Sequence, residues 1–168
     1  MTRQLLSAAA ALAFFASTAM AQMGAPPAEE FVTMASSSDM FEIQSSTAAL
    51  EKGESAAVKE FAQMMVADHT KSSEELLAAV EASGLDITPP GAMTPEHQER
   101  SDALNGANVT DFDAAYIDAQ VAAHQEALAL MQSYAETGDN EALRAHAQKS
   151  VPIIQAHFEH AQKLDTTN

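Results

Sequence analysis

The sequence predicts an all-α protein, a four-helix bundle built from two related helix hairpins. Two sixteen-residue segments carry this prediction, because residues 51–66 read EKGESAAVKEFAQMMV and residues 136–151 read ETGDNEALRAHAQKSV. The segments are 85 positions apart and share six identical residues, among them Gly53 and Gly138. Each copy contains the end of one helix, a glycine turn and the start of the next helix. A repeated helix pair indicates a bundle with two similar halves.

The first hairpin contains two long helices. Helix α1 is predicted from about Glu29 to Lys52, where Gly53 follows in the position that glycine commonly occupies after a helix end. Helix α2 is predicted to begin behind Ser55, a favoured N-cap residue, and to end near Ser83.

A long connection joins the two hairpins. Residues 84–108 contain three of the six prolines, which excludes one continuous helix. A short helix α3 is predicted from Pro95 to Leu104, entered from Thr94. Because the connection is long enough to cross the bundle, the sequence is compatible with an up-down-down-up order of the long helices and with an up-down-up-down order.

The second hairpin repeats the pattern of the first. Helix α4 is predicted over residues 110–137, before the second glycine turn. Helix α5 is predicted to start behind Asp139 or Asn140 and to continue to about Leu164. Pro152 lies inside this helix and removes one backbone donor, so we expect a local bend.

The N-terminal residues MTRQLLSAAAALAFFASTAMA match an export signal. They contain one basic residue near the start, a short apolar run, and small residues at Ala19 and Ala21. We therefore expect cleavage after Ala21, a periplasmic or secreted location, a linker over residues 22–28 and one bundle domain over residues 29–165. The rest of the sequence contains no apolar stretch long enough for a membrane span.

The composition limits the partners that this chain can bind. The 24 acidic residues outnumber 8 basic ones, and the net charge is −16. Such a charge repels nucleic-acid phosphates and anionic lipid headgroups, whereas it attracts cations. With no cysteine in the sequence, no disulfide can form, so stability must come from helix packing. A protein partner in the cell envelope and a monomeric or homodimeric state remain compatible with these features.

Each long helix carries one potential metal ligand near the middle of its apolar stripe. Residues at spacings of three and four define these stripes, and four polar side chains interrupt them: Glu42, His69, His124 and His157. One carboxylate and three imidazoles suit a divalent transition metal such as zinc, iron, manganese or copper. In each hairpin, the two candidate ligands lie at different distances from the turn. The difference is about five residues, or roughly 7 Å along the helix.

Two acids lie near these histidines in the sequence. Asp68 precedes His69, and Asp118 lies on α4 near His124, so each is a candidate to orient an imidazole as a hydrogen-bond acceptor. In the alternative interpretation, each histidine is structural and hydrogen-bonded to a neighbouring helix. Two further histidines are expected at the surface: His97 and His146.

Four segments point to a known family. The chain contains, in this order, FVTMASSSDMFEIQ, AAVKEFAQMMVADHT, FDAAYIDAQVAAHQEAL and VPIIQAHFEHAQ. Together they closely resemble the exported bacterial family known as domain of unknown function 4142, over roughly residues 29–164. The resemblance implies a ferritin-like fold and no established activity, and members are often labelled outer-membrane proteins. It also implies a set of family-typical polar positions: Asp68, His69, Tyr116, Asp118, His124 and His157.

Three functions compete at this point. The first is a periplasmic metal-binding bundle with a buffering or stress role. The second is a non-catalytic envelope interaction module whose histidines are structural. The third is a ferritin-like oxidoreductase, against which the absence of the Glu-x-x-His pairs of di-iron bundles counts. The sequence contains no nucleophile-and-base motif, phosphate loop or dinucleotide fingerprint, so we do not expect an enzyme of those classes.

Overall fold

The computed structural model describes residues 24–165, which contain five α-helices and no β-strand. The helices are α1 (Ala28–Lys52), α2 (Ala56–Ser83), α3 (Pro95–Asn105), α4 (Val109–Thr137) and α5 (Glu141–Asp165). The predicted all-α class is confirmed, and every predicted helix end agrees to within one residue. None of the described helices is both long and apolar enough to span a membrane. The expected export signal lies outside the described residues.

The four long helices run in an up-down-down-up order. Phe31, near the start of α1, stacks on Tyr134, near the end of α4, and Ser46, further along α1, hydrogen-bonds to Tyr116, nearer the start of α4. Helices α1 and α4 are therefore antiparallel. Short turns make α1 antiparallel to α2 and α4 antiparallel to α5, and α2 packs on α5. The order that the sequence left open is therefore the one with a single long crossover.

The two hairpin turns have the same backbone conformation. Gly53 has φ −60° and ψ 144°, and Gly138 has φ −56° and ψ 146°. Neither glycine is in the left-handed conformation that most often explains a glycine after a helix. Space explains both, because a Cβ at Gly53 would lie 2.6 Å from the carbonyl oxygen of Ala49, and one at Gly138 would lie 2.5 Å from the ring of Tyr134.

Different side chains cap the helices that follow these turns. Ser55 precedes α2 as predicted, but its hydroxyl makes no capping hydrogen bond. The carboxylate of Asp113, on α4, instead accepts from the backbone N–H groups of Glu54 and Ser55. At the second turn, the side-chain oxygen of Asn140 accepts from two N–H groups in the first turn of α5. The first turn is therefore held by the opposite hairpin, whereas the second is capped locally.

A layer of polar side chains divides the apolar core into two clusters. One cluster includes Phe31, Leu76, Tyr134 and Leu143, and the other includes Phe61, Met65, Phe112 and Leu164. On each long helix, buried polar residues lie between the two clusters: Asp39, Glu42 and Ser45 on α1, His69 on α2, Gln120 and His124 on α4, and His157 on α5. The predicted stripes are therefore present, and all four are interrupted near the middle of the bundle.

Candidate metal centre

Three histidines from three helices meet in the buried polar layer. His69, His124 and His157 are only 5%, 1% and 4% exposed. Their ring centroids are 5.6, 5.6 and 5.5 Å apart, so the rings form a nearly equilateral arrangement, which we call the histidine triangle. One ring nitrogen of each histidine lies within 4.8 Å of one ring nitrogen of both others. Small side-chain movements can therefore bring three nitrogens to the distance of about 2.0–2.1 Å that a bound cation needs.

Carboxylates hold two of the rings from outside the triangle. Nδ1 of His69 lies 2.8 Å from a carboxylate oxygen of Asp39, which is on α1. Nε2 of His157 lies 3.0 Å from a carboxylate oxygen of Asp68, which is on α2. Because an ionised carboxylate only accepts hydrogen bonds, each of these ring nitrogens is the donor. The other nitrogen of each ring then carries the lone pair when the imidazole is neutral.

A backbone carbonyl holds the third ring in the same way. Nδ1 of His124 donates to the carbonyl oxygen of Gln120 over 2.9 Å. The three remaining nitrogens are Nε2 of His69, Nε2 of His124 and Nδ1 of His157, and none has a hydrogen-bond partner among residues 24–165. An unpaired buried polar atom costs about 1–3 kcal/mol. Three of them at one place indicate a site built for a ligand.

Glu42, the fourth predicted ligand, is buried beside the triangle but is not part of it. One carboxylate oxygen lies 3.6 Å from Nδ1 of His124, the nitrogen that already donates to the Gln120 carbonyl. The other oxygen has no hydrogen-bond partner within the described part of the chain. Burial raises the pKa of the Glu42 carboxyl. The structure therefore brings together three of the four predicted ligands and places the fourth against one of them.

Burial and nearby charges shift the pKa values of the three histidines in different directions. Burial, followed by the charge of His69, lowers the pKa of His124 to about 4. Burial, followed by the charges of the other two histidines, lowers the pKa of His157 to about 4. Burial also acts to lower the pKa of His69, but the Asp39 hydrogen bond and the charge of Glu42 help to outweigh it, so that pKa is raised. His124 and His157 are therefore neutral at pH 7, as metal ligands must be.

The two acids predicted to orient the histidines are placed differently from the expectation. Asp68 does not pair with the adjacent histidine on its own helix but with His157 on α5. Asp118, expected to orient His124, is exposed and lines a surface groove together with Arg100 of α3. The acceptor for His124 is a backbone carbonyl of its own helix, which no side-chain pattern can reveal.

The surface positions predicted for two other histidines were wrong. His146 is only 5% exposed, because it lies on the face of α5 that packs into the bundle. His97 is half-buried, since its Nδ1 lies 2.6 Å from the hydroxyl of Ser37 and its ring stacks on Phe41. These contacts fasten α3 to α1, which gives His97 a role in anchoring the crossover.

Asp39 was not among the site residues predicted from the sequence. This residue accepts from His69 and also from the hydroxyl of Ser73, and it is only 6% exposed. A signal was present, because Asp39 lies three residues before Glu42 and therefore on the same face of α1. An acid one turn from a predicted ligand, pointing into a helix bundle, is the pattern that would have found it.

A cleft between α2 and α5 leads from the surface to the triangle. Its volume is about 60 Å³, and its walls include His69 and His157 as well as the more exposed Asp68, Lys71 and Glu75. A cation therefore has a path to two of the three ligands without unfolding of the bundle.

Two solved structures have a similar fold. A DUF305 fragment from Deinococcus radiodurans is 15% identical, with a TM-score of 0.71 over 85% of this chain and 100% of that chain. CopM in the Cu(II)-bound form is 18% identical, with a TM-score of 0.69 over 84% of this chain and 97% of that chain. At these identities the similarity shows the helical-bundle fold alone. No curated protein sequence matches this chain.

The family resemblance seen in four segments is confirmed along almost the whole sequence. The family described as Domain of unknown function (DUF4142) matches residues 13–164, which extend from before α1 into the last turn of α5 and include the three histidines of the triangle. The ferritin-like label that the resemblance implied stays a prediction. The chain belongs to the DUF4142 family.

Proposed function

We propose that this protein binds one divalent transition-metal cation between His69, His124 and His157. The observation that carries the proposal is the outward hydrogen bonding of all three rings, which leaves three buried nitrogens without a partner among the described residues. Histidines that bind metals commonly donate their other N–H to a carboxylate or carbonyl, which fixes the tautomer and the ring orientation. Buried polar atoms normally have a hydrogen-bond partner. Among the described residues His146 also has an unpaired buried nitrogen, but three such nitrogens come together at the triangle.

The donor set favours copper(II), followed by zinc(II). Imidazole nitrogen suits both ions, and copper(II) binds more tightly than the other divalent ions of the first transition row at a given site. The similarity in fold to CopM, whose structure contains Cu(II), supports copper as the first ion to test. Manganese is less favoured, because it prefers oxygen ligands.

The proposed role is the handling of a metal, such as buffering, and not redox catalysis. Di-iron oxidoreductase bundles surround two metals with a carboxylate from each long helix and two Glu-x-x-His pairs. The triangle instead offers three nitrogens, and the two buried acids beside it, Asp39 and Glu42, lie against ring nitrogens that point away from its centre. We further propose a periplasmic or secreted location, supported by the export-signal pattern that ends at Ala21. N-terminal sequencing of the protein from its native host tests the location.

Two matched variants test the site. They divide the six histidines of the chain equally: H69Q/H124Q/H157Q and H97Q/H146Q/H160Q. Circular dichroism first checks that both variants fold, and calorimetric titration with copper(II) and zinc(II) then gives their affinities. We expect the first variant to lose roughly 100-fold or more in affinity, and the second to bind like the wild type.

Equal affinities of the wild type and both variants would contradict the proposal. The metal would then be bound by the acidic surface, and the interaction module with structural histidines would become the better account. Loss of affinity in the second variant alone would also overturn the proposed site.

A further inference from the structure

We propose that the cation reaches and leaves the histidine triangle through the cleft between α2 and α5, and that Asp68 is the positioning residue that controls the rate of this passage. The inference rests on the proposed function and concerns the exchange of the cation, not the identity of its ligands.

The three acceptors that hold the triangle differ in their exposure to water. Asp39 is only 6% exposed, and the acceptor in Gln120 is a backbone carbonyl of a fully buried residue. The side chain of Asp68, in contrast, is 43% exposed. When the hydrogen bond between Asp68 and His157 breaks, water can replace the lost partner at little enthalpic cost. His157 is therefore the ligand that can move without disturbing the core.

The size of the cleft restricts what can pass. Its volume of about 60 Å³ is less than half that of an engineered cavity of roughly 150 Å³ that holds one benzene molecule. A fully hydrated cation must therefore lose water ligands on its way in. The carboxylate of Asp68 lies in the wall of the cleft and contacts His157, so it can replace the lost water before the imidazoles take over.

The opposite side of the triangle is closed. Glu42, Gln120 and His124, contributed by α1 and α4, are at most 1% exposed. The two apolar clusters cover the triangle along the bundle axis in both directions. Passage on these sides would require helices to separate, whereas passage between α2 and α5 requires the movement of one partly exposed side chain.

Stopped-flow mixing with copper(II), followed by displacement with a chelator, separates passage from affinity. D68N keeps a hydrogen-bond acceptor for His157 but removes the charge, and D118N removes an exposed acid of α4 that lines a groove without histidines. We expect D68N to slow association and dissociation by roughly tenfold each, with little change in their ratio, and D118N to leave both rates unchanged. If Asp68 only stabilised the site, D68N would speed dissociation and leave association unchanged, and the inference would be wrong.

A second pair of variants tests the cleft itself. S72W places a bulky side chain in the cleft, and A122W places the same side chain in the surface groove between α3 and α4, whose walls contain no histidine. We expect S72W to bind copper(II) more slowly but to the same final stoichiometry, and A122W to bind copper(II) at the wild-type rate. Wild-type rates for D68N and S72W would overturn the proposed passage, and if H69Q/H124Q/H157Q still lost affinity, the proposed metal site would stand. If that triple variant kept its affinity, both proposals would fall.

Discussion

The hairpins α1–α2 and α4–α5 end in the same turn, yet they contribute different chemistry to the middle of the bundle. Gly53 and Gly138 occupy equivalent positions and adopt the same backbone conformation. Away from the turns the correspondence ends. At the repeat spacing of 85 residues, His69 corresponds to Ile154, and the position equivalent to His157 is Ser72. The repeat therefore explains the fold, and the candidate site lies where the two halves have diverged.

The halves also divide charge and ligands between them. The first hairpin supplies one histidine together with Asp39, Glu42 and Asp68. The second supplies two histidines, and its acceptor is a backbone carbonyl. Because neither hairpin contains three ligands, the two must pack together before the triangle exists. A cation that binds the triangle should therefore stabilise the assembled bundle.

Alanine substitutions at the two turn glycines should lower the free energy of unfolding by different amounts. Gly138→Ala should lower the free energy of unfolding by about 3 kcal/mol, because the new Cβ would meet the ring of Tyr134, which is fully buried and stacked on Phe31. Gly53→Ala should cost only about 1–2 kcal/mol, because apart from the Ala49 carbonyl it meets a carboxylate that can move. Urea unfolding followed by circular dichroism measures both. Equal losses of free energy in the two variants would show that contact with the ring of Tyr134 does not make Gly138 harder to replace than Gly53.

The histidines of the two hairpins should affect the pH dependence of stability in opposite directions. The pKa values of His124 and His157 are about 4 in the folded protein, below the ordinary value of 6.5. As the pH falls below 6.5, the unfolded chain therefore binds protons first, and these two groups destabilise the fold down to about pH 4. The pKa of His69 is raised, so protonation of His69 stabilises the fold. This contribution of His69 to the free energy of unfolding is fully present below pH 6.5 and is lost as the pH rises through its pKa in the folded protein.

Unfolding of the metal-free protein between about pH 7 and pH 4.5 measures this difference. Over this pH range, the free energy of unfolding of the wild type should fall by at least about 1.4 kcal/mol more than that of H124Q/H157Q. This difference is the equivalent of one pKa unit. Burial raises the pKa of Glu42, so this carboxyl opposes the loss as it takes up its proton, and it does so in both proteins. Parallel pH profiles of the wild type and the double variant would show that these histidines are not kept neutral by burial.

The smallest expected effect concerns the caps. Asp113→Ala should lower the free energy of unfolding by about 1 kcal/mol, because it removes the acceptor for two N–H groups at the first turn. Ser55→Ala is the control and should have almost no effect, because the Ser55 hydroxyl makes no capping hydrogen bond. Urea midpoints measure both. A larger loss for Ser55→Ala would restore the N-cap role that the sequence suggested.

The helices could be predicted closely because local chemistry determines where they end. Glycines at 53, 84 and 138 and the proline at 95 mark four boundaries, and the spacing of apolar residues locates the inward faces. The histidines of the triangle could also be predicted, since each interrupts an apolar stripe near the middle of a helix. Depth counted from the turn suggested an offset of roughly 7 Å along the bundle axis between His124 and His157, whereas their ring centroids are only 5.5 Å apart. Bundle helices cross at roughly 20°, and such counting ignores that tilt.

The partners of these histidines could not be predicted, because they depend on which helices are neighbours. Asp68 appears paired with His69 in sequence, but successive residues on a helix point in different directions, and its carboxylate contacts His157 on α5. That contact requires α2 to pack on α5, which follows from the up-down-down-up order. The sequence is compatible with two orders and so leaves the acceptors open.

A crystal structure of the copper-loaded protein, with anomalous diffraction measured at the copper absorption edge, would locate the bound metal directly. We expect one strong anomalous peak, about 2.0–2.2 Å from Nε2 of His69, Nε2 of His124 and Nδ1 of His157, with the three outward hydrogen bonds intact. A peak on surface carboxylates, or a triangle without a peak in crystals that contain copper elsewhere, would contradict this expectation.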